Sequence, residues 1–174
     1  MIESVGKYSY GAEDIRYHSW GEGSKIRIGK FTSIAGGCLI LLGGNHRVDR
    51  VSTYPFGHIH QQVFNCSGEG HPYSNGDVTI GNDVWIGLNV TIMSGVTIGD
   101  GAVIAANSHV VKNIDPYTIA GGNPAKALKK RFSDNVVYKL LQIKWWDWSD
   151  EDINRNLHLI CSTNTQNILN YPTI

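Results

Sequence analysis

The chain predicts an all-β protein: a parallel β-helix wound from hexapeptides, with one long inserted loop and a small C-terminal α-helical segment. Three observations predict it. From Ile80 the sequence runs in sixes, IGNDVW, IGLNVT, IMSGVT, IGDGAV, IAANSH and VVKNID, and each block opens on an aliphatic residue: Ile80, Ile86, Ile92, Ile98, Ile104, Val110. The fifth place is also small or aliphatic, at Val84, Val90, Val96, Ala102, Ser108 and Ile114. A period of six is neither 3.6 nor 2, so neither a helix nor an ordinary strand explains it, and a fixed short period marks a solenoid. Third, Gly, Asn and Asp fill the places between, as in Gly81-Asn82-Asp83, Asn89, Gly95, Gly99-Asp100-Gly101 and Asn107. These residues tolerate the positive φ that tight corners require. A sandwich of short strands would not hold six blocks in register.

Residues 1 to 25 are irregular, with Val5 to Tyr10 reading as one coil side. Tyr8, Tyr10, Tyr17 and Trp20 crowd this segment; they plug the open end of the coil, wall a flat or sugar-like ligand, or do both. The period restarts with Ile28-Gly29-Lys30-Phe31-Thr32-Ser33, Ile34 and Ile40. From Ile40 to Ile80 the phase breaks, because 40 is not a multiple of six. Residues 46 to 77 are therefore an excursion, and a long insertion in a regular solenoid is usually functional. After Val110 the coil ends, and Pro116 to Lys126 form a turn-rich strand and exit. Ser133 caps a helix whose apolar face is Val136, Val137, Leu140 and Leu141. Trp145-Trp146-Asp147-Trp148 packs the terminal helices onto the coil. Ser149-Asp150-Glu151-Asp152 is a capping box with Asp in the usual Glu place, opening a helix that contains Ile153, Leu157 and Ile160. From Ser162 on, the Asn/Thr-rich end reads as poorly ordered or as a short packed helix. The division is 1–131 for the coil and 132–174 for the helical appendage.

A length of 174 residues bounds this at one domain with an appendage, and 41% hydrophobic content supplies a core. Fifteen basic and fifteen acidic residues cancel, which argues against a nucleic-acid partner. There is no apolar run long enough to span a membrane and no signal-peptide pattern at Met1-Ile2-Glu3-Ser4, so a cytoplasmic protein without a transmembrane segment is expected. Cys38, Cys66 and Cys161 are an odd number without metal-type spacing and read as free thiols. His58-Ile59-His60 with His71 lacks an accompanying carboxylate or cysteine cluster, so no metal is expected. His18, His109 and His158 read as solvated or packed.

The hexapeptide coil, the Gly44-Asn45-His46-Arg47 segment, Ser52-Thr53-Tyr54-Pro55-Phe56, GDVTIGNDVWIG, AGGNPAK and IKWWDW together resemble the xenobiotic acetyltransferases, from about residue 5 to 160. The resemblance implies a left-handed coil, a homotrimer, acetyl-CoA as co-substrate and no metal. It implies acetyl transfer to a hydroxyl, with His46 as general base. Imidazole titrates near neutrality and suits that role. No GxSxG nucleophile motif is present, which favours direct attack over an acyl-enzyme. Asp49, Glu13 or a backbone carbonyl would orient the imidazole.

Pantetheine is long and linear, and a groove between neighbouring coils suits it. Small residues would let it approach: Gly87, Ala105, Ala106 and Gly122. By resemblance Trp85 lies near the cofactor. Lys126 and Lys130, after Asn123-Pro124, would meet its phosphates, together with Lys129 and Arg131. The acceptor is expected against Tyr10, Tyr17, Asn45, Asp49 and Tyr54. The excursion form GEGHPYSNGDV looks closer to polysaccharide-cluster relatives than to drug-modifying ones. The expected acceptor is therefore a sugar or glycan hydroxyl; the alternatives are a streptogramin or chloramphenicol hydroxyl, or the amine of an amino sugar. A zinc-dependent β-helix of the carbonic-anhydrase kind is disfavoured, because the coil offers only His109.

Overall fold

The computed structural model describes residues 1–171. Thirteen strands make the coil: β1 (Ile2–Val5), β2 (Arg16–His18), β3 (Ile26–Ile28), β4 (Ser33–Ile34), β5 (Leu39–Leu41), β6 (Val78–Ile80), β7 (Trp85–Ile86), β8 (Thr91–Met93), β9 (Thr97–Ile98), β10 (Val103–Ile104), β11 (His109–Val110), β12 (Thr118–Gly122) and β13 (Ala125–Lys130). Three helices follow, α1 (Asp134–Ile143), α2 (Asp150–Ile160) and α3 (Gln166–Leu169), so the class is a β-helix with a helical cap rather than strictly all-β. Among the described residues no helix is long and apolar enough to cross a membrane.

The strands form three faces, in the orders β1-β3-β6-β9, β13-β12-β10-β7-β4 and β11-β8-β5-β2. All pairings are parallel except β12 with β13. Trp85 opposes Val103 and Thr91 opposes His109, a step of 18 residues, which is three hexapeptides per turn. Where the excursion intervenes, Ile28 opposes Ile80 and Ile40 opposes Ile92, a step of 52. The difference from 18 is 34 inserted residues, after which the coil resumes in register.

The periodicity maps onto burial as expected. First-place residues stack as Ile34, Ile86 and Ile104 on one face, continued by Ala120, and as Ile28, Ile80 and Ile98 on another, continued by Ile114, a fifth-place residue; all are buried. The fourth place turns each corner: Asp83, Asn89, Gly95, Gly101 and Asn107 all have φ between 54° and 78°. Buried Thr32, in the first full turn, donates its hydroxyl to the Gly81 carbonyl at 2.8 Å and so is itself paired within the coil core.

The first segment departs from expectation. The strand is Ile2–Val5, not Val5 to Tyr10, and Tyr8, Tyr10, Tyr17 and Trp20 are exposed rather than plugging the coil. The three tyrosines serve outer surfaces instead, and Trp20 lies against Gly44. Tyr8, for example, packs on Phe31 and donates its hydroxyl to Asp150 at 2.5 Å.

The three corners of the prism carry three different loads. Along the corner of Tyr8, Phe31, Asp83, Gly101 and Tyr117 lies the helical cap. Buried Trp146 joins Tyr117, Val136, Leu140 and Ile168 in a second core, and Trp145 packs on Phe31. Arg131 clamps this corner, donating to the Gly101 carbonyl at 2.6 Å and standing 3.2 Å from Asp83. Burial pushes the Asp83 carboxyl above its usual range in spite of that guanidinium. Ser149 caps α2 as expected, its hydroxyl oxygen accepting from the Asp152 N–H, whereas Ser133 makes no such bond in α1. The Asn/Thr-rich end forms α3; residues 172–174 lie outside the described residues. The second corner, 87–90 and 105–108, carries the small residues Gly87, Ala105, Ala106 and Ser108 beside the larger Leu88 and Asn89. The third carries the excursion.

Candidate active site

The excursion leaves the coil through a neck. Asn45 and Tyr73 exchange backbone hydrogen bonds at 3.0 and 3.1 Å, closing the loop as an antiparallel bridge. The Asn45 amide donates to Ser94 Oγ at 3.3 Å, and the Asn75 N–H donates to the same oxygen, which pins the neck to the next turn of the coil. Asn45 is thus engaged in holding the neck, a different use from the acceptor contact expected of it. Gly44 must be glycine: its φ is +74°, and a Cβ there would sit 2.6 Å from the Trp20 ring. The Gly44 N–H donates to Glu22, and the Trp20 N–H donates to the same carboxylate at 2.8 Å. Partial burial raises the Glu22 carboxyl, these backbone donors outweigh it, and the net shift is downward.

His46 follows directly. Its Nδ1 lies 2.9 Å from the Thr53 carbonyl oxygen. A carbonyl only accepts, so Nδ1 carries the proton and donates it, and Nε2 keeps a free lone pair. Of the three candidate orienters, the backbone carbonyl is the one present. Asp49 is bound bidentately by the Arg47 guanidinium, which holds its carboxyl down at about 2. That pairing takes Asp49 away from His46.

Beside His46 lies a pocket of about 260 Å³, lined by Trp20, Gly44, His46, Pro55, His58, Ile59, His71 and Pro72. His71 stands edge-on to His46 with ring centroids 4.4 Å apart, and His58 lies 5.4 Å from His71. Among the described residues no group of three or more His, Cys, Asp or Glu is placed to hold a metal ion. Tyr54, half-exposed against Phe56, neighbours the wall without lining it. Tyr10 and Tyr17 stand on outer faces, Tyr10 bridged to Ser33 and Tyr17 opposite Ile40, and neither borders this pocket. Sequence reasoning left Trp20 between two roles and weighed His58 only as a metal ligand, a role it set aside. The pocket collects both because loop residues far apart in sequence close over the neck, and no periodicity reports that.

The residues assigned to the cofactor gather elsewhere. Gly87, Ala105 and Ala106 occupy the small-residue corner, and Gly121 and Gly122 continue it on β12. Gly87 has a structural reason of its own, since a Cβ there would lie 2.6 Å from the Ala106 nitrogen. Trp85 projects from the adjacent face and is 58% exposed. Asn123 and Pro124 form the exposed turn between β12 and β13. Lys126, Lys129 and Lys130 are exposed on β13, with Lys130 paired to Asp134. Arg131 turns inward and does not join them.

A family model, bacterial transferase hexapeptide (six repeats), matches residues 77–112. The chain is 51% identical over 158 residues to a probable macrolide acetyltransferase of Lysinibacillus sphaericus, with 86% of this chain and 84% of the relative covered. It is 47% identical to a virginiamycin A acetyltransferase of Staphylococcus aureus, covering 90% and 75%. It is 38% identical to a chloramphenicol acetyltransferase of Klebsiella aerogenes, covering 96% and 86%.

Proposed function

The chain belongs to the hexapeptide-repeat xenobiotic acetyltransferases and is an acetyl-CoA-dependent acetyltransferase, and from that premise we propose that it acetylates a hydroxyl of an antibiotic acceptor, with His46 as general base. The expectation of a sugar acceptor gives way here. It rested on the form of one loop, while the relatives similar over most of the chain are named for macrolide, virginiamycin and chloramphenicol acetylation. The observation that carries the catalytic part is the 2.9 Å contact between His46 Nδ1 and the Thr53 carbonyl, at the mouth of a pocket. It leaves Nε2 as an acceptor facing the place where a hydroxyl binds. The imidazole takes the hydroxyl proton as oxygen attacks the thioester carbonyl. The coenzyme A sulfur leaves and takes that proton back. A left-handed wind belongs to the same reading, supported by the positive-φ residue at the fourth place of the blocks.

Transfer needs the thioester next to His46, yet His46 hangs from the excursion corner and the small-residue groove runs along another. One chain therefore does not assemble the site. In a trimer, the excursion of one subunit faces the groove of the next, and the exposed Tyr10, Trp85 and Leu88 side chains of the flank become buried. Light scattering at micromolar concentration is expected to give the mass of three chains; a monomer that still turns over would refute the shared site.

The phosphates of coenzyme A fit the β13 edge. Converting Lys126 and Lys130 to alanine is expected to raise the acetyl-CoA KM about tenfold while kcat changes little, the signature of charge-assisted contacts to a non-reacting part of the substrate. The test of the reaction itself is release of coenzyme A thiol with chloramphenicol, virginiamycin and a macrolide, against monosaccharide controls. Turnover of the sugars alone would return the acceptor assignment to glycans.

A further inference from the structure

His71 is not needed by the mechanism above, and its situation is unusual. Among the described residues neither of its ring nitrogens has a hydrogen-bond partner, and both are closed off from solvent. Desolvation, followed by the neighbouring His46, His58 and Arg50, pulls its pKa below the ordinary value, so the ring is held neutral. A neutral imidazole has one donor and one acceptor, and leaving both unmade in a closed place costs stability. If the ring served only as packing against His46, a phenylalanine would do it without that cost. His71 borders a pocket that His46 also lines, at a ring-centroid separation of 4.4 Å. Two imidazoles that close address two oxygens that are themselves close.

We propose that His71 is a specificity-determining residue of the acceptor site: it hydrogen-bonds a second oxygen of the acceptor, borne on a carbon neighbouring or one removed from the reacting hydroxyl, while His46 takes the proton from that hydroxyl. The acceptor class is then a 1,2- or 1,3-diol, or a hydroxyl beside a carbonyl, and not an isolated alcohol. In this proposal a modest turn of the His71 ring about its Cβ–Cγ bond presents a nitrogen to the pocket, and the acceptor's second oxygen becomes that nitrogen's partner. The inference rests on the reading of His46 as base.

The experiment uses two variants, His71→Phe, which keeps the ring and removes both nitrogens, and His71→Asn, which keeps a donor and an acceptor. Both are checked for folding by circular dichroism and assayed at saturating acetyl-CoA with chloramphenicol, virginiamycin and a macrolide. For the acceptor that wild type uses best, His71→Phe is expected to lower kcat/KM about tenfold, mainly through the acceptor KM, with the acetyl-CoA KM unchanged and His71→Asn partly restored. The loss should vanish on a deoxy analogue of that acceptor lacking the second oxygen, since the two changes then remove the same contact. A His71→Phe enzyme with wild-type kinetics, or one equally impaired on both acceptors, overturns the proposal while leaving His46 in place. Silence of the wild-type enzyme on all three antibiotics overturns the function reading and this inference with it.

Discussion

Replacing His46 by alanine is expected to lower kcat at least about 100-fold while leaving the oligomer and the acetyl-CoA affinity intact, in line with the 10²–10⁴-fold typical of general-base assistance. The side chain is exposed at a loop root and contributes nothing to the coil core, so its removal deletes chemistry and little packing. His46→Gln tests the same point with a polar side chain that cannot serve as a base. A His46→Ala enzyme retaining more than about a third of wild-type turnover would transfer the base role to another residue.

The second large effect is on stability. Ile86 is fully buried in the middle of the column formed by Ile34, Ile86, Ile104 and Ala120. Truncation to alanine is expected to cost about 2–5 kcal/mol, the range for such cavities in a core that relaxes only in part. At roughly 2–4 °C per kcal/mol for a chain of this size, the melting temperature falls by about 10 °C. Val111→Ala, at an exposed position one place after a core residue, is the control and should change stability by less than about 0.5 kcal/mol. Equal losses at the two positions would mean that the hexapeptide phase does not set the core.

That phase is the part of the molecule most plainly written in the chain. Ile80 to Val110 name the core one residue in six, and Asp83, Asn89 and Asn107 name the corners, because each turn repeats one local steric problem at a fixed interval. The length of the excursion follows from the same count. Its interior does not. Thr53, which orients His46, lies seven residues on in a segment without periodicity, and its contribution is a carbonyl that every residue has. Asp49 is nearer in sequence and chemically more suggestive, but Arg47 claims it first. His71 reaches the same pocket from 25 residues away, across a neck whose closure depends on Asn45 and Tyr73 meeting. Arg131 fails as a coenzyme ligand for a similar reason, since a buried carbonyl at Gly101 outcompetes solvent for its guanidinium.

The chain departs after β5 and returns at β6 with the stacking of Ile28 on Ile80 and Ile40 on Ile92 undisturbed. Closing a flexible loop between fixed ends costs an entropy that grows only as the logarithm of its length, about 0.6 kcal/mol for each doubling. Insertions and deletions in the outer part of the excursion are therefore nearly neutral for folding. His46 stands on the near side of the neck, so such changes remodel the walls around an unmoved imidazole. Under the proposed function, loop drift alone would let a lineage exchange one acceptor for another while keeping both the scaffold and the imidazole at the neck.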